Sequence, residues 1–181
     1  VIVSVGRLIK RKAFHQLIAS VQHLPATTHL VIVGEGPLRV ELERQARRAG
    51  LAGRVHLPGY VSERDKYRYL GAADVFALSS EHEGFGIVLQ EAMAAELPIV
   101  STGTGGQTDL LTDGENALLV APNDPPALAS AVSRILADSS LQERMVQANR
   151  ARIGQYAAER VAQRYMKLFC GLQATAECRR A

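Results

Sequence analysis

The feature that most constrains the fold is a series of six short runs dominated by Val, Ile and Leu. They are Val1–Val5, His29–Val33, Val55–Leu57, Val75–Leu78, Pro98–Ser101 and Ala117–Val120. Strands that are apolar along their whole length have no face left for water, which is typical of strands buried on both sides. The sequence therefore predicts a parallel β-sheet that is covered by helices on both faces.

Helical patterns separate these runs. In the first, Phe14, Leu17, Ile18, Val21 and Leu24 follow the i, i+3, i+4, i+7 rule. The other predicted helices are Leu38–Ala49, Asp65–Ala73, Gly86–Ala95, Pro125–Ala137, Leu141–Arg152 and Ala157–Leu168. This order predicts an α/β domain of the Rossmann-like, doubly wound class, with about six strands and further helices at the C-terminus. Ligands of such sheets bind at the carboxyl ends of the strands, so the loops that follow strands are the candidate sites.

Composition excludes several other classes of protein. With 181 residues, of which 47% are hydrophobic, the chain can form one globular domain with a real core. It has no apolar run of about 18 residues, so no transmembrane helix is expected. The first residues, VIVSVGRL, do not resemble a signal peptide. The net charge is +3 and the basic residues are scattered without interleaved aromatics, so no nucleic-acid partner is expected.

Two cysteines, Cys170 and Cys178, match no metal-binding or redox spacing. This usage favours a reducing cytoplasm over a disulfide framework. No metal cluster is visible in the sequence.

The loop after the first run places Gly6, Arg7 and Lys12 at the end of a strand. Glycine allows close approach of the backbone, and the two cations suit phosphate oxygens. A solvated basic loop is the alternative. The next loop, from Gly34 to Pro37, has the start of a dinucleotide-binding motif, but Arg39 occupies the position of the third glycine. A structural turn is the preferred interpretation there.

The loop after the fourth run carries Glu83, Gly84, Phe85 and Gly86, and Glu91 follows on a mostly apolar helix. A helix that begins near Gly86 would offer free N–H groups to an anion. A diphosphate at that helix end would leave a ribose near Glu91 and a sugar near Glu83. A structural ion pair for Glu91, and a helix-dipole partner for Glu83, explain the spacing equally well.

The loop after the fifth run contains Gly103, Gly105 and Gly106. Its N–H groups either face a ligand or simply permit a turn. Taken together, the loops after the first, fourth and fifth strands suit a sugar that is bound to a nucleoside diphosphate.

These motifs resemble the C-terminal, donor-binding domain of retaining glycosyltransferases of family 4, which have the GT-B fold. The resemblance covers nearly the whole chain. It is carried by VSVGRL, HLVIVGEGP, RVHLPGYV, AADVFALSS, EGFGIVLQEAMA, LPIVSTGTGG and DGENALLV, in the family's order.

The resemblance implies a role for each matching residue. Arg7 and Lys12, beside Gly6, would hold the diphosphate, and Glu83 would contact hydroxyls of the donor sugar. Glu91 would hold the ribose. The remaining implied binding residues are Val61 beside the base, Gly84, Phe85, Gly86, Ile87 and Val88 around the sugar and phosphates, and Gly105 and Gly106 in a loop beside the donor. The cost of an ionised Glu91 would then be offset by substrate hydroxyls, with water in the empty site.

Three positions depart from the family's pattern. Ala13 and Glu96 stand where glycine is usual, and a non-glycine residue in a left-handed conformation costs on the order of 1 kcal/mol. Asp109 stands where glutamate is frequent, which leaves it a supporting role.

The resemblance implies that residues 1–181 form a nucleotide-sugar-binding domain, with a C-terminal helix and tail over 153–181. An N-terminal acceptor domain would lie outside this sequence. The expected activity is transfer of a sugar from a UDP- or GDP-linked donor to a hydroxyl of a glycan, lipid or small molecule, with retention of configuration and without a metal or cofactor. The expected location is cytoplasmic, with at most peripheral membrane contact. Two alternatives remain open, namely another GT-B enzyme such as an epimerase or phosphorylase, and a non-catalytic module that binds NAD or a protein.

Overall fold

The computed structural model describes residues 1–84 and 86–178, with side chains through residue 170. Six strands alternate with helices. The strands are β1 (Ile2–Val5), β2 (Leu30–Val33), β3 (Val55–Gly59), β4 (Val75–Leu78), β5 (Ile99–Thr102) and β6 (Leu118–Val120). The helices are α1 (Phe14–Ser20), α2 (Arg39–Arg48), α3 (Glu63–Gly71), α4 (Ile87–Ala94), α5 (Pro125–Ala137), α6 (Ser139–Ile153) and α7 (Ala158–Cys178). All six predicted strands are confirmed, whereas α7 continues past its predicted end at Leu168.

The strands form one parallel sheet in the order β3-β2-β1-β4-β5-β6. The register places Ile2 of β1 opposite Leu30 of β2 and Val75 of β4. The chain first adds β2 and β3 on one side of β1. It then returns and places β4, β5 and β6 on the other side. The loops after β1 and β4 therefore flank the point where the strand order reverses, which is where ligands bind in such sheets.

The core has two layers, one on each face of the sheet. Successive strand residues point to opposite faces, so Ile2 packs with α1, α2 and α5 while Val3 packs with α3 and α4. Phe14 and Leu17 anchor the first layer, and Leu89 and Met93 anchor the second; all four are almost fully buried. This arrangement confirms the prediction of a doubly wound α/β domain with helices on both faces.

Local signals explain where individual helices begin. The hydroxyl of Ser62 accepts a hydrogen bond from the N–H of Asp65 and so caps α3. Asp124 caps α5 and Asp138 caps α6 in the same way. Within the described residues, no helix is both long enough and apolar enough to span a bilayer.

Candidate functional site

The loop after β1 is held in place from two sides. The N–H groups of Gly6 and Leu8 donate to the carbonyls of Val33 and Glu35. The loop then makes a short 3-10 turn over Lys10–Lys12. Ser79, just after β4, donates from its hydroxyl to the carbonyls of Lys12 and Ala13, at 2.9 and 3.0 Å. Lys12 is thereby fixed beside the loop that follows β4.

The loop after β2 packs directly on the loop after β1, and its glycines make this possible. A Cβ placed on Gly34 would lie 2.0 Å from the carbonyl oxygen of Gly6, and one on Gly36 would lie 2.5 Å from that of Leu8. Arg39, which replaces the third glycine of a dinucleotide motif, donates to Glu35, Glu43 and the carbonyl of Leu57. These contacts favour the interpretation of this loop as a structural turn.

Lys12 and Glu83, two of the predicted catalytic residues, contact each other directly. The Nζ of Lys12 lies 2.5 Å from Oε2 of Glu83, and their side chains are only 10% and 13% exposed. The hydroxyl of Ser80 donates to the same oxygen at 3.3 Å. The carboxylate of Glu83 is therefore held by two donors at the carboxyl end of the sheet.

The glycine loop after β5 packs on the backbone of Glu83. The N–H of Gly106 donates to the carbonyl of Glu83 at 2.9 Å. Of the two alternatives for this loop, Gly106 fits the structural turn, since the neighbouring loop already accepts the hydrogen bond from its N–H. A Cβ on Gly105 or Gly106 would lie 2.5 or 2.1 Å from the carbonyl oxygen of Glu83 or Gly84, respectively. These glycines are needed so that the two loops can approach each other.

A groove of about 450 Å³ opens beside this cluster, at the carboxyl ends of β1 and β2. It brings five of the predicted binding residues together: Gly6, Arg7, Val61, Val88 and Glu91. Four of its other lining residues were not predicted: Glu35, Tyr60, Glu63 and Lys66. Gly6 is adjacent to both the groove and the Lys12–Glu83 pair. It lines the groove, and a Cβ placed on it would lie 3.5 Å from Cε of Lys12.

Two larger grooves in the described part of the chain contain none of the predicted site residues. Val1 and His29, which line one of them, precede β1 and β2 and so lie at the opposite edge of the sheet. The other is lined by Lys10 and Glu81, in the loops after β1 and β4, but by no predicted site residue. The smaller groove is the better candidate because it gathers five predicted site residues at the carboxyl edge of the sheet.

Glu91 has a protein partner, which the sequence left open. Oε1 of Glu91 lies 2.7 Å from Nζ of Lys66, and Lys66 also contacts Glu63 at 2.7 Å. Of the alternatives that the sequence left open for Glu91, the structure shows the ion pair: Lys66 supplies a full positive charge, where the resemblance implied substrate hydroxyls and water. Burial lowers the pKa of Lys66, but Glu63 and Glu91 outweigh that effect and raise the pKa above its ordinary value of 10.5.

A sequence signal for Lys66 was available and was missed. Lys66 and Leu70 are four residues apart and form the buried face of α3. A lysine on the apolar face of a helix requires a carboxylate partner, because a buried unpaired charge is costly. What the sequence does not show is which carboxylate lies across from it.

Helix α4 begins directly after the loop that contains Gly84 and Gly86. Gly86 is the N-cap, with a positive φ of 75° and no side-chain cap, and the helix starts at Ile87. The first N–H groups of a helix, here those of Ile87 and Val88, have no partner within the helix itself. Gly84 is exposed. Phe85, also predicted to contact the donor, lies outside the described residues.

Ala13 and Glu96 occupy the two positions where the resembled family usually has glycine. Both residues have the left-handed backbone conformation, with φ angles of 47° and 60°. Glu96 forms a two-point ion pair with Arg150, which holds the pKa of its carboxyl below the ordinary value. Asp109 ends a short 3-10 turn and is exposed. Among the described residues, no group of three or more His, Cys, Asp or Glu side chains is arranged to hold a metal ion.

Comparison with known proteins agrees with this geometry. The model of the family "Glycosyl transferases group 1" matches residues 1–152. The lipopolysaccharide core biosynthesis glycosyltransferase LpsE of Rhizobium meliloti is 37% identical over 169 residues, which cover 93% of this chain and 49% of LpsE. The chain thus spans about half the length of this relative.

Solved structures share the fold over most of the chain. Anabaena HepE, crystallised with UDP and with UDP-glucose, superposes with a TM-score of 0.78 at 28% identity, over 90% of this chain and 48% of HepE. Sucrose-phosphate synthase of Thermosynechococcus elongatus gives 0.80 at 32% identity, over 94% and 46% of the two chains. The sheet, the crevice and the family match lead to one conclusion: this chain belongs to the group 1 glycosyltransferases and has the Rossmann-like architecture of their GT-B fold.

Proposed function

We propose that residues 1–181 are the C-terminal, donor-binding domain of a retaining glycosyltransferase of family 4, with a UDP- or GDP-sugar as donor. The observation that carries this proposal is the composition of the crevice. One groove contains Arg7, Val61 and Glu91, and the Lys12–Glu83 pair lies beside it. A cation for phosphate, an apolar contact for a base and a carboxylate for a ribose are the groups that a nucleoside-diphosphate sugar requires.

The same residues suit the chemistry of sugar transfer. When the glycosidic bond breaks, negative charge develops on the diphosphate. Arg7, Lys12 and the N-terminus of α4 near Gly86 would stabilise that charge where it develops. Glu83, already oriented by Lys12 and Ser80, would accept hydrogen bonds from hydroxyls of the donor sugar and hold it in place. The proposal gives Glu83 no role as a covalent nucleophile, and the departing phosphate would assist removal of the acceptor's proton. No metal or cofactor is proposed, because the two cations supply the positive charge.

The relatives suggest what lies outside this chain. LpsE is named for lipopolysaccharide core biosynthesis, and HepE was crystallised with UDP-glucose. We accordingly propose that an N-terminal domain binds the acceptor, and that residues 153–181 are the C-terminal helix and tail. The acceptor would be a hydroxyl of a surface glycan or a lipid-linked saccharide. Such an enzyme would act in the cytoplasm, with peripheral contact at the inner face of the membrane.

Titration calorimetry with UDP, GDP and their sugars tests donor binding. We expect the chain alone to bind one of these nucleotides weakly without turnover. The intact enzyme should transfer sugar, and proton NMR of the product should show the anomeric configuration of the donor. Absence of binding to every one of these nucleotides by the intact enzyme would rule out the proposal, and an inverted product would rule out the retaining mechanism.

Arg7 provides a sharper test of the diphosphate subsite. Replacing Arg7 by alanine should weaken binding of UDP about tenfold or more, because a charge-assisted hydrogen bond to phosphate is lost, while binding of uridine changes little. Arg11→Ala is a matched control, since Arg11 is an exposed arginine on the same loop that lies outside the groove. Equal losses for UDP and uridine would contradict the role assigned to Arg7.

A further inference from the structure

Helix α3 places a lysine inside the groove, although nothing in the proposed chemistry requires one there. Lys66 is 9% exposed, and its Nζ contacts Glu91 on α4 and Glu63 one turn earlier on its own helix. It thereby connects the two helices that form one wall of the groove.

The two carboxylate partners of Lys66 differ in their surroundings. The side chain of Glu63 is 80% exposed, whereas that of Glu91 is 17% exposed. Water screens the first contact, which is an ordinary i, i+3 surface pair of small energetic effect. The second contact is largely shielded from water, so the attraction between its charges is stronger. Lys66 therefore acts mainly on Glu91.

Glu91 needs such a partner because little of its side chain reaches water. That side chain is only 17% exposed, at the wall of the groove. A carboxylate in that position without a partner would turn away toward water. The Lys66 contact keeps it directed into the groove, beside Val88 on the same face of the helix.

We propose that Lys66 is a positioning residue for recognition of the donor's ribose, acting through Glu91. This inference rests on the proposed function. Lys66 bonds to Oε1 of Glu91, and a carboxylate can accept about four hydrogen bonds, so capacity for a ribose diol remains. Because the rotamer of Glu91 is set before the donor arrives, binding does not have to order that side chain.

The test compares UDP with 2′,3′-dideoxy-UDP, which differ only in the hydroxyls that Glu91 would hold. Wild-type protein should prefer UDP by about tenfold or more, as expected for hydrogen bonds to a charged group. Lys66→Met should lose most of that preference, with UDP binding reduced about tenfold and dideoxy-UDP binding nearly unchanged. Lys66→Arg should restore much of it. Arg64→Met, which removes an exposed cation of the same helix that does not line the groove, should stay within about twofold of wild type.

A double-variant cycle separates action through Glu91 from general support of the fold. If Lys66 acts through Glu91, Lys66→Met should add almost no further loss of UDP binding in a Glu91→Ala background. This background also removes the unpaired carboxylate, so it remains informative if Lys66→Met alone fails to fold. Additive losses, or equal weakening of UDP and dideoxy-UDP, would overturn the inference while leaving the proposed function intact. A wild-type protein that binds neither UDP, GDP nor their sugars would instead overturn the proposed function itself.

Discussion

At the scale of single residues, the two carboxylates of the site already have cationic partners before any donor binds. Glu83 is paired with Lys12 and Glu91 with Lys66. These carboxylates are therefore ordered in advance, and a donor of the proposed kind would add hydrogen bonds to groups that are already fixed. Fixed dipoles and charges of this kind cost little reorganisation when charge develops in a reaction.

The Lys12–Glu83 pair should stabilise the free chain measurably. Both side chains are close to buried, so removing either partner leaves an uncompensated charge. We expect Lys12→Met to lower the free energy of unfolding, and a cycle with Glu83→Gln to give a coupling of about 1–3 kcal/mol in urea titrations. Lys10→Met is the control, since Lys10 is exposed on the same 3-10 turn and should change stability little. A coupling near zero would show that the contact contributes nothing to folding.

Ala13 provides a test of backbone strain. It has φ 47° and is 1% exposed. Glycine would relieve strain of about 1–2 kcal/mol and lose about 0.8 kcal/mol of methyl burial, so Ala13→Gly should leave stability unchanged or slightly raised. The same substitution at the equally buried Ala46, inside α2, should cost about 2 kcal/mol, because the loss of helix propensity adds to the same loss of methyl burial. Thermal unfolding of both variants checks this, and equal destabilisation would contradict it.

At the scale of elements, the sequence predicts the secondary structure well because its signals are local. Val75–Leu78 is apolar at every position and is a buried strand with the predicted ends. Ser62 caps α3 as its position suggests. Contacts between elements are different in kind. The Lys66–Glu91 pair joins two helices, and the Gly106 N–H turns toward Glu83; both depend on tertiary packing that no local pattern specifies.

The stability that Asp138 adds by capping α6 should depend on pH. The N–H of Leu141 donates to its carboxylate at 2.9 Å, and Ser140 adds a hydroxyl, so its pKa lies below the ordinary value of 3.8. A lowered pKa in the folded state means that the stabilisation is fully present above pH 3.8 and is lost as pH falls below it. Asp138→Asn keeps a capping oxygen but removes the charge. We expect it to melt at a lower temperature than wild type at pH 6, with the difference vanishing in acid; a difference independent of pH would contradict this.

The close contact between the loops after β4 and β5 can be tested by replacing one glycine at a time. Gly106→Ala would put a Cβ 2.1 Å from the carbonyl oxygen of Gly84, so the two loops must separate and the hydrogen bond that holds the backbone of Glu83 is lost. Gly103→Ala is the matched control, because its Cβ would meet only the side chain of Leu119, at an ordinary 3.7 Å. We expect the first variant to lose donor binding and the second to retain it, as measured by calorimetry. Retained binding in Gly106→Ala would mean that the loops can separate without harm to the site.

At the scale of the whole molecule, the pattern of buried strands and covering helices specifies a doubly wound sheet, whereas the groove arises from the order of the strands. Because β1 and β4 are neighbours, loops that are some 70 residues apart in the sequence meet above them, as the contact between Ser79 and Lys12 shows. Five of the predicted site residues are brought together in one groove by this topology, with the Lys12–Glu83 pair beside it. The crevice rule predicts where they gather, but it does not predict which side chain pairs with which.

The close packing of the glycine loops also has a genetic consequence. Every amino acid that a single-base change can substitute for glycine carries a Cβ. At Gly34, Gly36 and Gly106 that atom would fall within 2.0–2.5 Å of a backbone carbonyl in another loop, whereas at Gly53 and Gly71 it would meet nothing within 4 Å. Inherited variation at the first three codons should therefore be strongly purged, while the other two are free to drift, even though all five encode the same residue.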